Sequence, residues 1–203
     1  MKLYDSPHAP NPRRVRIFLA EKGIVVPTEP VDLGKLEQKA PEYCVINPLM
    51  RTPALVLDSG EVLCESVAIC RYFEEIQPLP PLFGTGALEK VRVEMWQRRA
   101  ELEFFLPIAQ AFRHSHPAMR EMEKPQIAEL AETSRPRAVA MARLLDGELA
   151  KRRFLAGETF TIADITAFVA AEFAKPARIA FPEDLIHFAR WRAEVGARPS
   201  ATA

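Results

Sequence analysis

The spacing of apolar and polar positions changes character near residue 80 of this 203-residue chain. Before that point, short apolar runs of strand length alternate with helical spacings. Lys2–Asp5 reads as a strand ending in a proline-rich loop, Ser6-Pro7-His8-Ala9-Pro10-Asn11-Pro12. A helix is predicted from Pro12 or Arg13, because proline is tolerated in a first helical turn. Val15, Phe18 and Leu19 form its apolar face, and Gly23 stops it. Residues 25–33 read as a second strand, assigned to a sheet edge by its prolines. Residues 34–49 are polar and read as a loop with a short helix. Residues 54–58 and 61–64 form two strands joined through Asp58-Ser59-Gly60, hence an antiparallel hairpin. A helix follows over Ser66–Ile76, with Ile69, Phe73 and Ile76 on one face. The order βαβ then ββα fits a thioredoxin-like layer of sheet covered by helices.

After Gln77-Pro78-Leu79-Pro80-Pro81, a stiff linker by composition, the period is helical throughout. Leu88, Val91, Met95, Arg98, Leu102, Phe105, Ala109 and Phe112 recur at alternating steps of three and four. This predicts a long helix with a core-facing seam, one that serves as core or dimer interface. Pro107 should kink it, and His114-Ser115-His116-Pro117 ends it. A second long helix is predicted over 126–151, through Ile127, Leu130, Met141, Leu145 and Leu149, with a bend at Pro136. Thr161-Ile162-Ala163-Asp164 reads as a reciprocal cap, with Asp in place of the usual Glu. The apolar helix after it, 165–173, belongs at the centre of the helical core. A last helix, 182–195, carries Phe188 and Trp191. The expected architecture is therefore an α/β domain over 1–77, a linker over 78–85 and an all-α domain over 86–203.

Composition removes several classes of function. Lys plus Arg is 27 and Asp plus Glu is 27, so no excess of positive charge is available for binding nucleic acid by counterion release. Three cysteines without a CxxC make neither a disulfide framework nor a zinc cage, and fit a reducing cytosol. Met1 leads into polar residues without the apolar run of a signal peptide, and no stretch approaches ~18 apolar residues. A cytoplasmic protein with no membrane span is expected. No glycine-rich phosphate loop and no acidic or histidine cluster with metal-ligand spacing appears, so no metal is expected. Cys64 and Cys70 fall where a buried strand and helix residue would lie, and Cys44 in a more open stretch.

Two short motifs carry chemistry. In Arg51-Thr52-Pro53-Ala54 the residue before proline is forced toward extended geometry. A cis bond there would offer the Thr52 N–H and C=O to a ligand lying like an added strand; the plain alternative is a turn proline. Glu65-Ser66 stands between a strand and a helix, where backbone N–H groups favour a carboxylate and Glu65 suits an ammonium. The plain alternative is a helix cap with a solvated Glu.

Together, Thr52-Pro53-Ala54-Leu55, the Gly60 turn and Glu65-Ser66-Val67-Ala68-Ile69 resemble the glutathione-site signature of the glutathione S-transferase family. Tyr4…Ser6-Pro7, Arg14-Val15-Arg16-Ile17, Leu19-Ala20-Glu21-Lys22-Gly23, Asn47-Pro48 and Phe160-Thr161-Ile162-Ala163-Asp164 are similar to other family segments. Arg99-Ala100-Glu101-Leu102-Glu103 and the His-rich helix end resemble a theta-related branch found in bacteria and fungi. The resemblance spans nearly the whole chain. It implies a thioredoxin-like domain that binds glutathione as co-substrate, with no bound cofactor, and a helical domain that supplies the second-substrate pocket. Thr52 and Pro53 match the backbone that holds the cysteinyl part of glutathione. Glu65 and Ser66 match the pair that holds its γ-glutamyl end. Arg51, with Gln38 or Lys39, matches the glycine-carboxylate side. Phe104, Phe105, Phe112 and Met119 are the implied pocket walls, and Thr161 and Asp164 a folding box. The implied activity is conjugation of the glutathione thiolate to a small hydrophobic electrophile by a homodimer. Glutathione-dependent reduction, isomerisation or dehalogenation would use the same site.

One position departs from the pattern. The usual Ser or Cys that donates to the sulfur falls on Ala9 or Pro10, which have no side-chain donor. Tyr4, Ser6 and Asn11 lie nearby, and Asn11 has an amide in about the right loop. His114, Ser115 and His116 are the other candidates, acting directly or through a water. The departure also leaves open a non-catalytic glutathione-binding or interaction scaffold.

Overall fold

A computed structural model describes residues 1–203. Its sheet grows from β1, Lys2–Asp5, where a period of two turns Leu3 and Asp5 inward. The Asp5 carboxylate is buried because Arg16 meets it at 2.6 Å. Parallel to β1 runs β2, Thr28–Pro30; antiparallel to it runs β3, Ala54–Val56, and β4, Val62–Cys64, completes the order β2-β1-β3-β4. As the prolines predict, β2 is an exposed edge, though only three residues of 25–33 pair. Three helices pack with the sheet: α1, Pro10–Lys22; α2, Pro41–Ile46; and α3, Ser66–Ile76. Gly23, at φ 64, ends α1, its N–H returning to the Leu19 and Ala20 carbonyls. The thioredoxin-like order read from the sequence is the one observed.

Two compact units divide the chain, Met1–Pro81 with Pro199–Ala203, and Leu82–Arg198. The boundaries differ from 1–77 and 86–203 at both ends, and α1 supplies the reason. Its buried Lys22 pairs with Glu74 at 2.7 Å and donates to the Gln77 and Pro80 carbonyls at 2.8 Å each, drawing the proline linker into the first unit. The Arg13 guanidinium donates to Ala201 O at 2.9 Å, and the Ser200 hydroxyl bonds Glu21, drawing residues 199–203 back onto the same helix.

The second unit is helical: α4, Gly86–Arg99; a π-helical segment, Ala100–Phe105; α5, Leu106–Arg113; α6, Ala128–Leu149; α7, Ile162–Phe173; and α8, Ile186–Gly196. Residues 162–171 of α7 are all buried, including Asp164 and Thr166. The reciprocal cap at its start is present, and the last helix begins at Ile186 rather than 182. Pro107 does not interrupt the second unit's first long run. Proline removes one backbone donor and crowds the preceding turn. Here the turn before it widens, with the Leu106 N–H reaching the Glu101 carbonyl five residues back.

The predicted seam is corrected in its first half. Leu88 and Val91 are 71% and 66% exposed, and Met95, Arg98 and Leu102 also face outward. The buried face is Val93, Trp96, Gln97 and Ala100, continuing to Phe104, Phe105 and Ile108. Gln97 sits there because its carbonyl oxygen accepts from the buried Thr166 hydroxyl of α7 at 2.7 Å. The cysteine reading is corrected at one position: Cys70 is buried, but Cys64 is only half-buried at the end of β4.

Candidate functional site

The β3–β4 register aligns Ala54 with Cys64, so the segments flanking those residues, Thr52-Pro53 and Glu65-Ser66, lie side by side. Thr52 and Pro53 are buried, Arg51 is exposed, and the Thr52–Pro53 bond is cis. The backbone leading into them is fixed from behind. The Tyr43 hydroxyl donates to Arg51 O at 2.6 Å and the Asn47 amide donates to the same oxygen at 2.8 Å. Asn47 also accepts from the Leu49 N–H. Tyr43 is buried against the Tyr4 ring, 5.9 Å between centroids. Burial, with Cys64 and Tyr4 beside it, pushes its hydroxyl well above the usual phenol range, so it stays a donor.

Glu65 turns the strand into α3 at φ 68, ψ 117, a conformation that costs a non-glycine residue about 1 kcal/mol or more. The turn leaves the Glu65 side chain exposed and tucks Ser66 in as the first helical residue. Behind Ser66 lies the guanidinium of Arg14, 1% exposed. Its Nη1 donates to Ser66 Oγ at 2.6 Å and to Asn11 Oδ1 at 3.0 Å. The first turns of α1 and α3 are thus bridged by one buried cation. Backbone N–H groups at a helix start and a nearby positive charge both favour a carboxylate. In the sequence Arg14 figured only as part of a resemblance. A cation between an apolar Val and another Arg gives no signal that it is inside.

Gln38 and Lys39 share a short 3-10 turn, Glu37–Lys39, in which Gln38 is buried and Lys39 exposed. Lys39 therefore has its charge in reach of solvent. Cys64, beside this site, has its thiol pushed up by burial and by Glu65, which keeps it protonated.

The remaining candidates belong to the second unit. His114 caps α5; its Nδ1 accepts the Ile127 N–H at 3.2 Å and its Nε2 lies 4.0 Å from Glu123. Ser115 donates to Ala111 O at 2.6 Å and accepts from Arg135 at 3.1 Å. His116 stacks on Phe112 at 4.6 Å, and Phe112 meets Phe173 at 4.8 Å. Phe105 and Met119 are each 8% exposed. Phe104 is fully buried against Phe181 and Phe188, which makes it core. A separate open hollow of about 510 Å³ beside the start of α4 is lined by Thr85, Leu88, Glu89, Arg92 and Thr159, and by none of the expected pocket residues. No cluster of three His, Cys, Asp or Glu stands where it could hold a metal, and no helix is long and apolar enough to cross a membrane.

Residues 8–76 match the profile of the glutathione S-transferase N-terminal domain, and residues 104–199 that of the C-terminal domain. The chain belongs to the glutathione S-transferase family. Glutathione S-transferase 2 of Saccharomyces cerevisiae is 34% identical over 203 residues, 98% of this chain and 87% of the yeast protein. The crystal structure of Gtt2 from the same yeast superposes with a TM-score of 0.95 at 35% identity, covering 100% of this chain and 99% of the other. A glutathione S-transferase domain-containing protein of Marinobacter aquaeolei VT8 gives 0.95 and 35%, over 98% and 99%. The chain is an enzyme of this family, whose co-substrate is glutathione. The glutathione S-transferase fold expected from the motifs, a thioredoxin-like sheet followed by an all-helical domain, is the fold observed.

Proposed function

We propose that the chain conjugates the glutathione thiolate to a small hydrophobic electrophile and works as a homodimer. The observation that carries the first part is the alignment of Thr52-Pro53 with Glu65-Ser66 across β3 and β4. In this reading the Thr52 backbone pairs with the cysteinyl part of glutathione. Ser66 and the start of α3 take the γ-glutamyl carboxylate, and Glu65 takes its ammonium. Arg51 and Lys39 attract the glycine carboxylate; the Arg fork can hold it in a bidentate manner. Gln38 supports the turn that carries Lys39.

The thiol must release its proton, here to water, because the thiolate is the nucleophile and a donor to the sulfur stabilises it. Asn11 is the donor we assign to the sulfur. Its side chain stands in the first turn of α1, bound to the Arg14 that also binds Ser66. Ser115 already donates its hydroxyl hydrogen to Ala111 O, and His114 accepts the Ile127 N–H at Nδ1, so a neutral His114 holds its hydrogen on Nε2, toward Glu123, and has no free lone pair to take the thiol proton. Phe105, Phe112 and Met119 are the proposed walls of the electrophile site. The electrons of the C–S bond come from the thiolate, and the electrophile's leaving group departs with its own pair. The exposed stripe of Leu88, Val91, Met95 and Leu102 supports the homodimer, since a monomer seldom leaves such a run of aliphatic side chains in water.

The test is the thiolate absorbance of bound glutathione as a function of pH, followed by turnover of a chlorodinitrobenzene. Ionisation well below about 8.5, the ordinary thiol value, with turnover, supports conjugation. An unshifted thiol with tight binding rejects it in favour of a binding scaffold. His114→Ala is the control: if it alone raises the bound-thiol midpoint, the donor lies in the helical unit.

A further inference from the structure

We propose that Arg14 is a positioning residue: its buried guanidinium takes the Asn11 carbonyl oxygen and the Ser66 oxygen as acceptors, and so leaves the Asn11 amide N–H and the Ser66 O–H as the groups offered to glutathione. The inference rests on the functional reading above and adds to it the device that sets donor direction.

An arginine is always charged and has donors only. An asparagine side chain has one accepting end and one donating end, and the two look alike in outline. A flipped Asn11 would set its own N–H groups against those of Arg14, so the guanidinium fixes the amide with Oδ1 inward. The Nδ2 end then points the other way, and it makes no hydrogen bond within the protein. Ser66 is fixed by the same logic. Its oxygen accepts from Nη1 at 2.6 Å, which leaves its own hydrogen for a ligand oxygen, and a donor whose oxygen already accepts from a cation is a stronger donor. Both bonds leave from Nη1, which carries two hydrogens, one for each acceptor. Loss of this one residue therefore disturbs the sulfur end and the γ-glutamyl end together. The titratable group facing Arg14 from α3 is Cys70, with Glu74 and Lys22 beyond it. Burial pushes the Cys70 thiol up, so it stays protonated where the glutathione thiol is read.

The experiment is the pH titration of bound-glutathione absorbance, with kcat and KM for a chlorodinitrobenzene, in wild type, Arg14→Met and Asn11→Asp. Asn11→Asp keeps an acceptor for Arg14 but replaces the outward N–H with a carboxylate oxygen. It should fold as wild type does and raise the bound-thiol midpoint by about one pH unit or more. Arg14→Met should raise that midpoint and raise KM for glutathione about tenfold. If Arg14→Met does not fold, Asn11→Asp decides alone. A purely structural Arg14 would lower the melting temperature and leave the midpoint where it was. That result in Arg14→Met, or an unmoved midpoint in Asn11→Asp, overturns the inference while leaving conjugation intact. An unshifted wild-type thiol overturns the conjugation reading itself and this inference with it.

Discussion

The Tyr43 hydroxyl and the Asn47 amide end on a single carbonyl oxygen, that of Arg51. Neither residue needs to touch a ligand to matter, because the oxygen they hold belongs to the peptide that leads into Thr52. Tyr43→Phe removes one of the two donors. It is expected to cost about 1 kcal/mol of stability and to raise KM for glutathione severalfold with kcat little changed; steady-state kinetics with glutathione varied would check it. A fall in kcat alone would reject that account. Ser66→Ala removes the hydroxyl but not the helix start, and should weaken glutathione about tenfold while leaving the bound-thiol midpoint in place. At this scale the sequence was only partly legible. Thr52-Pro53 and Glu65-Ser66 stand out because proline before a strand and an acid-serine pair before a helix are local signals. Arg14, Tyr43 and Asn47 do not, since their roles come from partners up to 52 positions away in the chain.

At the scale of the element, α7 depends on its first turn. The Asp164 carboxylate accepts from the Leu155 N–H, the Thr161 N–H and hydroxyl, and the Trp191 indole. Its burial nevertheless raises its pKa to about 6, the desolvation outweighing the four bonds. The folded state therefore holds the proton more tightly than the unfolded chain does. Stability from this group is gained as pH falls through about 6 toward the ordinary value of 3.8 and is lost as pH rises. Asp164→Ala should cost about 3 kcal/mol at neutral pH, and the gap to wild type should widen by about 1 kcal/mol at pH near 5. Denaturant melts at the two pH values measure this; a gap that narrows on acidification contradicts the sign. The cap was legible because Thr161 and Asp164 are three residues apart. The face of α4 was not. A three-four spacing of apolar residues marks a stripe that avoids water, and a stripe facing a second copy has the same spacing as one facing the core. The stripe that is buried here includes Gln97, whose polarity hides it from such a reading until its bond to Thr166 is seen.

At the scale of the molecule, the exposed aliphatic stripe gives a prediction about assembly. Leu88 and Val91 touch little of their own chain, so Leu88→Glu with Val91→Glu should change monomer stability by about 0.5 kcal/mol or less each. Light scattering at micromolar protein should then report half the wild-type mass. Equal masses for both proteins would reject the dimer contact proposed for this face. The division into an α/β and an all-α half was readable from the switch of hydrophobic period near residue 80; the return of residues 199–203 to α1 was not, because Ser200 and Ala201 carry no pattern that names a partner 179 or 188 positions earlier. That return sets an order on biosynthesis. The ribosome releases α1 early, but Ser200 and Ala201, which bond Glu21 and Arg13, emerge only after every helix of the second unit. A nascent chain therefore carries its first unit unfinished, without the bonds from Ser200 and Ala201 to α1, until those two residues are free of the ribosome.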